Sequence, residues 1–400
     1  MILGGGLVGL TTAFSLSERG VAVTVIDEGP LGSGAARGNA GWIAPSQLGP
    51  LASPYALKEA LRAVGRPHSA VYLRPAGALR ISPWLLRFVR NCTADKAEAG
   101  RAALHVLDEG STEALAALGR AGIDLEGVRG IVSVHDDEAS AEHAAVAHGA
   151  TKVVTGEALR ALVPFIGDRT AHGVVLERDR SIDPGRFVDS LIEVLGERGV
   201  MFVPGSPVRT FETDGTRVRA VLTDHGRHAA DVVVLAAGAG TAALAGRLGM
   251  RLPVIAGKGY SFSVAMSGPM PHSVLFETRH VVCTPLGDRV RVAGTMELGG
   301  IAGHIDHRRI DGIVRAATRL MPALDVRDRK DEWVGSRPIT PDGVPIIGRP
   351  AAWSNVLVGA GHAMFGVTLA PATGEVLARL AVDDADLDRE ALAPFHPDRF

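Results

Sequence analysis

The chain contains 400 residues, enough for two large domains or for one domain interrupted by another. Hydrophobic residues make up 46% of it and charged residues 22%, which is the balance of a globular protein with a sizeable core. The formal net charge of -2 argues against a nucleic-acid partner, and the two cysteines, Cys92 and Cys283, provide neither a disulfide framework nor a metal site.

The N-terminal pattern predicts a strand, a glycine-rich loop, a helix and a second strand. The opening strand covers only residues 1–3. Because strands usually run about five or six residues, we expect the natural chain to begin a few residues earlier. The helix is predicted at residues 7–19 with Gly20 as its C-terminal stop, and the next strand at residues 21–26.

Residues 4–9 match the G-x-G-x-x-G pattern of a dinucleotide-binding loop. In that pattern the first glycine makes a tight turn, the second lets the backbone approach a pyrophosphate, and the third allows close helix packing. The following helix offers N–H groups and the positive end of its dipole to phosphates. An acidic residue at the end of the second strand is suited to the ribose hydroxyls of an adenosine. The predicted contacts of this segment are Gly4, Gly6, Leu7, Val8, Gly9, Asp27 and the neighbouring Glu28.

Between residues 50 and 149 the sequence predicts helices that alternate with short strands. Helical spacing covers residues 101–118 and 137–147, and short apolar runs predict strands at residues 78–81 and 131–134. We find no catalytic motif in this stretch, so its role stays open.

A clear helix is predicted at residues 184–198, with Asp183 as N-cap and Pro184 at the first helical position. Strands follow at residues 201–203, 208–211 and 218–223, and a buried strand at residues 231–235. This last strand ends in Ala236, Ala237 and Gly238. It resembles the strand and loop that many flavoproteins carry late in the chain, which favours FAD over NAD.

The last seventy or so residues hold two blocks rich in glycine and proline. Residues 335–348 predict a loop that contains Arg337, and residues 359–368 predict a glycine-containing loop after a short strand. A final helix is predicted from Gly366 to Leu380, with Pro371 in its first turns, where a missing N–H does little harm.

Taken with the N-terminal loop, these blocks resemble the D-amino acid oxidase superfamily of flavoproteins, most nearly the bacterial D-amino acid dehydrogenases of the small-subunit type. Three further stretches carry the resemblance. Residues 39–45 are similar to the family's flavin-side loop, residues 258–261 to the start of one of its strands, and residues 289–294 to a hairpin. The resemblance spans nearly the whole chain, with a loose match at residues 50–149.

The resemblance agrees with the element pattern and implies an α/β fold, α+β overall. A Rossmann-like FAD-binding domain carries an inserted substrate domain built on a mainly antiparallel sheet plus helices. The expected bounds are 1–50, 181–250 and 331–400 for the discontinuous FAD-binding domain. The substrate-binding domain is expected at 51–180 and 251–330.

The resemblance also implies which residues contact the substrate and the cofactor. Arg337 corresponds to the arginine that pairs with a substrate carboxylate, a role suited to a guanidinium that forks onto two oxygens. Tyr260 and His362 occupy positions beside the substrate or flavin, with a purely structural role as the alternative for each. The implied cofactor contacts are Arg37, Asn39, Ala40, Gly41, Trp42, Val208, Ala237, Gly238, Arg337, Gly361, His362, Gly366, Val367 and Thr368.

Two positions bear on how the cofactor is held. Where the family commonly has Ser or Thr near the pyrophosphate, this chain has Ala36, and Ser33 or Arg37 is the predicted substitute. Cys283 lies on a predicted strand, away from the C-terminal loop where a flavin-linking cysteine is expected. We therefore predict FAD that is bound non-covalently.

The implied reaction is the FAD-dependent oxidative deamination of an amino acid, in the first instance a D-amino acid. Hydride passes from Cα to flavin N5, and the imino acid is hydrolysed to a 2-oxo acid and ammonia. The alternatives are a proline- or hydroxyproline-type, glycine/sarcosine-type or specialised biosynthetic amine oxidase of the same superfamily and, remotely, a non-catalytic dinucleotide-binding protein.

The sequence gives less information on the electron acceptor, the oligomeric state, the partners and the location of the protein. The electron acceptor is oxygen or a quinone, and the oligomeric state stays open. We expect no metal and no nucleic acid, and a cytoplasmic protein for which peripheral contact with the inner face of the membrane is left open.

Overall fold

The computed structural model of the chain describes residues 1–62, 69–150, 152–167, 171–266, 268–300 and 303–400. The helices in these ranges are α1 (Leu7–Glu18), α2 (Pro54–Arg62), α3 (Pro75–Ala78), α4 (Ser82–Asn91), α5 (Ala94–Glu109), α6 (Ser111–Arg120), α7 (Glu138–Ala147), α8 (Gly156–Leu162), α9 (Pro184–Glu197), α10 (Thr241–Arg247), α11 (His307–Leu320) and α12 (Gly366–Ala381). The strands are β1 (Ile2–Leu3), β2 (Thr24–Ile26), β3 (Trp42–Ile43), β4 (Val71–Leu73), β5 (Gly127–His135), β6 (Val153–Thr155), β7 (His172–Ile182), β8 (Met201–Val203), β9 (Val208–Asp214), β10 (Arg217–Thr223), β11 (Gly226–Ala229), β12 (Val233–Leu235), β13 (Ile255–Ala265), β14 (Ser273–Phe276), β15 (Val281–Leu286), β16 (Arg289–Leu298), β17 (Lys330–Ile339), β18 (Ile346–Gly348) and β19 (Val356–Ala360).

The first sheet has the order β18-β19-β12-β1-β2-β8. Its strands are parallel except β18, which runs antiparallel to β19. Such sheets bury both faces, which explains the β-branched run of β12, in which Val233 and Val234 are both buried. Helices α1, α9 and α12 cover one face, and the small antiparallel sheet of β9, β10 and β11 packs with α10 against the other.

The second sheet is larger, with ten strands in the described part of the chain and the order β17-β13-β16-β15-β14-β5-β7-β3. Strand β4 joins beside β16, and β6 joins beside β7. All pairs are antiparallel except β14 with β5 and β4 with β16. The predicted fold class, a Rossmann-like unit with a mainly antiparallel second sheet, is therefore confirmed.

Most predicted elements are present, with two corrections between residues 75 and 120. The helix predicted at residues 101–118 is two helices, α5 and α6, which meet at Gly110. The strand predicted at residues 78–81 is wrong, because Pro75 occupies the first turn of α3 and its fixed φ favours a helix start. A Cβ at Gly77, inside α3, would overlap the carbonyl oxygen of Gly299, so this helix packs directly on backbone.

The expected domain bounds stay predictions, and the strand pairing departs from them in two places. Strand β17, expected to begin the last FAD-binding segment, is hydrogen-bonded to β13 at the edge of the large sheet. Helices α5 and α6 fall in the expected substrate domain, yet Leu104 and Leu115 share a buried core with Leu377 of α12. The sequence could not show this, because both departures depend on contacts between distant segments.

Helices α1 and α12 cross in close contact. A Cβ placed on Gly374 would lie 2.5 Å from the backbone carbon of Thr11, and the Thr11 hydroxyl donates a hydrogen bond to the Ala370 carbonyl at 2.8 Å. Because the helix backbones touch here, the N-terminal ends of α1 and α12 are held in one fixed arrangement.

This crossing generates a prediction. Gly374→Ala must push α1 and α12 apart, so we expect a lower apparent melting temperature and a smaller fraction of protein that retains its cofactor. Both are measured on purified protein by thermal denaturation and visible absorbance. The control is Gly196→Ala in α9, where a Cβ meets nothing within 4 Å. That variant should keep its cofactor and gain up to about 1 kcal/mol in stability. Equal behaviour of the two variants would contradict the role given to the crossing.

Candidate active site

The glycine-rich loop is closely packed at two of its glycines and open at the third. A Cβ at Gly4, which has φ 117°, would overlap the carbonyl of Ala236, and a Cβ at Gly9 would overlap the Gly4 carbonyl oxygen. In contrast, a Cβ at Gly6 would meet nothing within 4 Å in the described chain. The backbone is therefore tight against β12 and α1 but leaves space in front of Gly6.

Helix α1 begins at Leu7, directly after this space. Its N-cap is Gly6, and no side chain among the described residues caps the helix. The first-turn N–H groups have no partner within the helix and carry the positive end of its dipole. An open cradle faced by free N–H groups fits the pyrophosphate of a dinucleotide.

Asp27 lies at the end of β2 and holds the loop in place. Its Oδ2 accepts a hydrogen bond from the Gly5 backbone N–H at 2.6 Å, and its Oδ1 accepts one from Gly29 at 2.8 Å. Each carboxylate oxygen can accept a further hydrogen bond, so a ribose hydroxyl can still bind there. Glu28 is exposed.

The segment that leads to Val208 lies beside Asp27. The Asp27 N–H donates to the Val203 carbonyl at 3.1 Å, and the Ser206 N–H donates to the Asp27 carbonyl at 2.7 Å. The structure thus brings Val208, at the start of β9, to the end of the loop where an adenosine is expected.

The loop of residues 39–44 is fixed by three distant elements. A Cβ at Gly41, which has φ 72°, would overlap the Ile182 carbonyl of β7. The Thr284 hydroxyl of β15 donates to the Ala40 carbonyl at 3.0 Å, and the indole N–H of Trp42 donates to the same hydroxyl at 2.9 Å. Asn39 closes the turn within the loop by accepting from the Gly41 N–H.

The third element that fixes the loop of residues 39–44 is the first turn of α12. The Thr368 hydroxyl donates to the Trp42 carbonyl at 3.2 Å and accepts from the Ala44 N–H at 3.1 Å. Helix α12 starts at Gly366 and has no side-chain cap among the described residues, so the N–H groups of Gly366 and Val367 face this loop region unpaired within the helix. Two predicted flavin-side segments, more than three hundred residues apart in sequence, therefore meet.

Arg291 holds the same loop and was missed at the sequence level. Its guanidinium is half-buried and donates to the carbonyls of Arg37 and Asn39, at 3.0 Å and 3.4 Å. Burial lowers its pKa. The available signal was an arginine within the alternating apolar strand at residues 289–294.

Arg37, the predicted pyrophosphate residue, forms an ion pair with Asp189 of α9. Its Nε also donates to the Gly32 carbonyl at 3.2 Å. These contacts hold the guanidinium against α9, so its contact with a pyrophosphate stays a prediction.

The loop predicted to contain Arg337 is wrong, because Arg337 lies on β17, which is paired with β13. Its guanidinium lies across Gly259 of β13, where a Cβ would overlap it. Its Nη1 donates to the Thr295 carbonyl at 2.9 Å. No carboxylate of the described residues forms an ion pair with it, and burial lowers its pKa to about 10. The group is still charged at neutral pH, so it is a partly desolvated cation without an anion.

Arg337 shares its face of the sheet with the residues that contact the loop of residues 39–44. Register pairs Arg337 with Gly257 and Gly335 with Gly259, and paired residues point to the same side. On that side the Trp333 ring fills the space above Gly38, the residue that precedes the loop. The arginine, the loop and the start of α12 thus surround one region.

Comparison with known proteins agrees with this geometry. The model of the DAO family, described as FAD dependent oxidoreductase, matches residues 1–380. D-amino acid dehydrogenase of Sinorhizobium medicae is 32% identical, over 98% of this chain and 97% of that protein. D-amino acid dehydrogenase of a Methylobacterium species is 34% identical, over 95% and 94%. Among solved structures, glycine oxidase from Geobacillus kaustophilus has a TM-score of 0.74 at 23% identity, covering 100% of this chain and 98% of its own.

The chain belongs to the DAO family of FAD-dependent oxidoreductases. FAD is therefore the dinucleotide that the glycine-rich loop predicts.

For Tyr260 the sequence left two positions open, one beside the substrate and one with a purely structural role. It pairs with Val334 and Gly294, so its side chain lies on the face of β13 opposite Arg337. There its hydroxyl donates to the buried carboxylate of Glu297, and its ring packs in the core beneath α11. This position favours the structural alternative for Tyr260, because Gly259 and not Tyr260 lies on the face of Arg337.

His362 lies in the loop before α12 of this FAD-dependent oxidoreductase and is buried. Its Nε2 lies 2.8 Å from the Thr373 hydroxyl, and Nδ1 has no hydrogen-bond partner in the described chain. Burial lowers the pKa of His362 to about 4, so the ring is neutral at pH 7. The neighbouring Ala363 N–H donates to the Pro338 carbonyl at 2.8 Å, which fastens this loop to the residue after Arg337.

Two turns complete the predicted cofactor contacts. Gly238 has φ 55° after β12, in the segment whose Ala236 carbonyl and Ala237 Cα abut Gly4. Gly361 has φ 89°, and a Cβ there would lie 2.6 Å from the Thr340 side chain. Both positions require glycine for the backbone path.

The cysteines are both free and buried. Burial raises the pKa of Cys283 to about 12, so its thiol stays protonated and unreactive. No group of His, Cys, Asp or Glu in the described ranges could hold a metal ion. Within those ranges no helix combines the length and apolar character needed to cross a bilayer.

The buried His362 predicts a pH dependence of stability. Its pKa is about 6.5 in the unfolded chain and about 4 in the folded one, so the unfolded state binds more protons between these values. The folded state therefore loses stability as the pH falls from 6.5 towards 4, because protonation of His362 favours the unfolded chain, and this loss is absent above pH 6.5. We expect the melting temperature of the His362→Gln holoprotein to change less with pH between 6.5 and 4 than that of the wild type.

The matched control is His143→Gln, since the His143 side chain is exposed on α7. This variant should follow the wild-type pH profile. If His362→Gln also runs parallel to wild type between pH 6.5 and 4, the ring is not buried in its neutral form.

Proposed function

We propose that this family member oxidises an amino acid at Cα, with a D-amino acid as substrate. The observation that carries the proposal is the half-buried Arg337 guanidinium, which has no carboxylate partner among the described residues. Such a group fits a substrate carboxylate, onto which it can fork with charge-assisted hydrogen bonds. The D configuration is supported by relatives named D-amino acid dehydrogenase that match nearly the whole chain.

The residues of this chain bind and orient the substrate. Arg337 fixes the carboxylate, so Cα lies between the sheet and the loop of residues 39–44. When bound, FAD supplies the acceptor for the hydride that leaves Cα. The N–H groups at the start of α12, unpaired within the helix, would offer positive potential to the flavin if it binds there. His362 is neutral and adds no charge to this region. After release, the imino acid is hydrolysed to a 2-oxo acid and ammonia.

The alternatives within the family share this machinery. Glycine/sarcosine-type, proline- or hydroxyproline-type and specialised biosynthetic amine oxidases also require a carboxylate site, so Arg337 does not separate them from the proposal. A non-catalytic dinucleotide-binding protein has no need for a desolvated arginine on the flavin side, and this feature disfavours it.

The remaining features of the proposal concern the cofactor link and the partners. Non-covalent attachment of FAD is supported by the protonated, buried Cys283. The electron acceptor is proposed to be oxygen or a quinone. Peripheral contact with a membrane is supported by exposed Leu79 and Leu86 close to Arg80, Arg87 and Arg90, since anionic lipid surfaces attract apolar and cationic groups together.

The carboxylate assignment predicts the effect of Arg337→Met. Two charge-assisted hydrogen bonds contribute about 1.5–3 kcal/mol each, so KM for the amino acid should rise at least about 100-fold. FAD should stay bound, because the loop of residues 39–44 and both helix ends remain. Anaerobic flavin reduction across a range of substrate concentrations measures the first effect, and the visible absorbance of purified protein measures the second.

The control is Arg327→Met, whose side chain is 89% exposed and lies just before β17. It should leave KM unchanged. An Arg337→Met enzyme with wild-type KM and bound FAD would remove the carboxylate assignment and the function that rests on it.

A further inference from the structure

A bulge in β16 lies next to Arg337. Lys258 pairs with Glu297 and Tyr260 with Gly294, so Thr295 and Met296 both lie opposite the single residue Gly259. Thr295 has φ 60°, the left-handed conformation that β-branched residues rarely adopt and that bulges of this kind normally fill with glycine. The bulge therefore stores backbone strain at the edge of the carboxylate site.

The strained backbone positions the arginine. With Thr295 in this conformation, its carbonyl accepts the hydrogen bond from Arg337 Nη1 at 2.9 Å. Glycine would give the same carbonyl direction with less strain, because it has no Cβ. Acceptance of the Arg337 hydrogen bond by the backbone carbonyl therefore does not explain why residue 295 is a threonine. Its side chain must have a separate role.

The Thr295 hydroxyl has no hydrogen-bond partner. Its Oγ1 is buried and unpaired within the described chain, whereas buried hydroxyls in proteins are normally satisfied. A buried polar atom of this kind, beside a binding site, indicates a partner that is supplied by the ligand.

The pairing of β16 with β13 is the basis for assigning the Thr295 side chain to one side of the sheet. The residues that flank the bulge, Gly294 and Glu297, pair with Tyr260 and Lys258 and point behind the sheet. The two bulge residues point to the opposite side, the side of Arg337. Met296 shows this directly, since a Cβ at Gly257, the partner of Arg337, would lie 3.4 Å from the Met296 sulfur.

We propose that the Thr295 hydroxyl donates a hydrogen bond to the substrate carboxylate that Arg337 binds. Thr295 thus acts twice, holding the guanidinium with its carbonyl and binding the anion with its side chain. This inference rests on the proposed function for the identity of the substrate, but it requires only that a carboxylate enters the site.

The test uses three replacements in the FAD-loaded enzyme. Thr295→Val keeps the shape and removes the hydroxyl, so KM for the amino acid should rise about 10-fold or more. Thr295→Ser keeps the hydroxyl and should stay within about 3-fold of wild type. The control is Thr318→Val on the exposed side of α11, whose hydroxyl donates to the Val314 carbonyl, and its KM should not change.

Thr295→Gly separates a binding role from a structural one. Glycine relieves the left-handed strain, so the melting temperature should rise by about 1–2 °C while KM rises as in the valine variant. A residue with only a structural role would gain stability without a change in KM.

Binding of a carboxylate without an amine, benzoate, gives a readout that does not need turnover. Perturbation of the flavin absorbance reports its Kd, which should weaken about 10-fold in Thr295→Val and not in Thr295→Ser. Unchanged Kd and KM in Thr295→Val, or equal losses in the valine and serine variants, overturn the proposal. Failure of wild-type enzyme to oxidise any amino acid would instead reject the proposed function, and benzoate binding would still decide the role of Thr295.

Discussion

The proposed site depends on one interaction that the described residues leave unmade: Arg337 is a partly desolvated guanidinium, and none of their carboxylates pairs with it. Because leaving such a charge without its partner typically costs several kcal/mol, we propose that the carboxylate of a substrate supplies the anion. One carbonyl, that of Thr295, holds the group, and Gly259 leaves room for it. Arg337 lies on β17, the edge strand of the large sheet, so the sheet fixes the position of this charge.

The cofactor site depends on joining segments from the two ends of the chain. In the proposed site the glycine-rich loop and α1 would hold the pyrophosphate, and the start of α12 would face the flavin. The contact between Gly374 and Thr11 sets these helices side by side, and Thr368 connects α12 to the loop of residues 39–44. That loop also contacts Arg291 and Thr284 of the large sheet, so the segments proposed to bind cofactor and substrate are connected by hydrogen bonds.

The parts of the candidate site that the sequence could propose are those with a recognisable local pattern. The glycine-rich loop and Asp27 match a known spacing, and Arg337 was proposed from the family resemblance; their roles stay predictions. The face of Tyr260 could not be predicted, because it depends on the register of β13 against two strands and on the bulge at Thr295. Residues 78–81 were mistaken for a strand, since the packing of Gly77 on Gly299 that favours a helix is non-local. Arg291 was missed for the same reason.

The most direct test of the account is anaerobic mixing of the purified FAD-loaded protein with D- and L-amino acids, proline analogues and N-methyl amines, followed at the visible flavin band. We predict that D-amino acids bleach this band, with one 2-oxo acid and one ammonia released per flavin reduced. Amines that lack a carboxylate should not bleach it, because Arg337 would have no anion to bind. Bleaching by such amines, or no bleaching by any amino acid, would contradict the account.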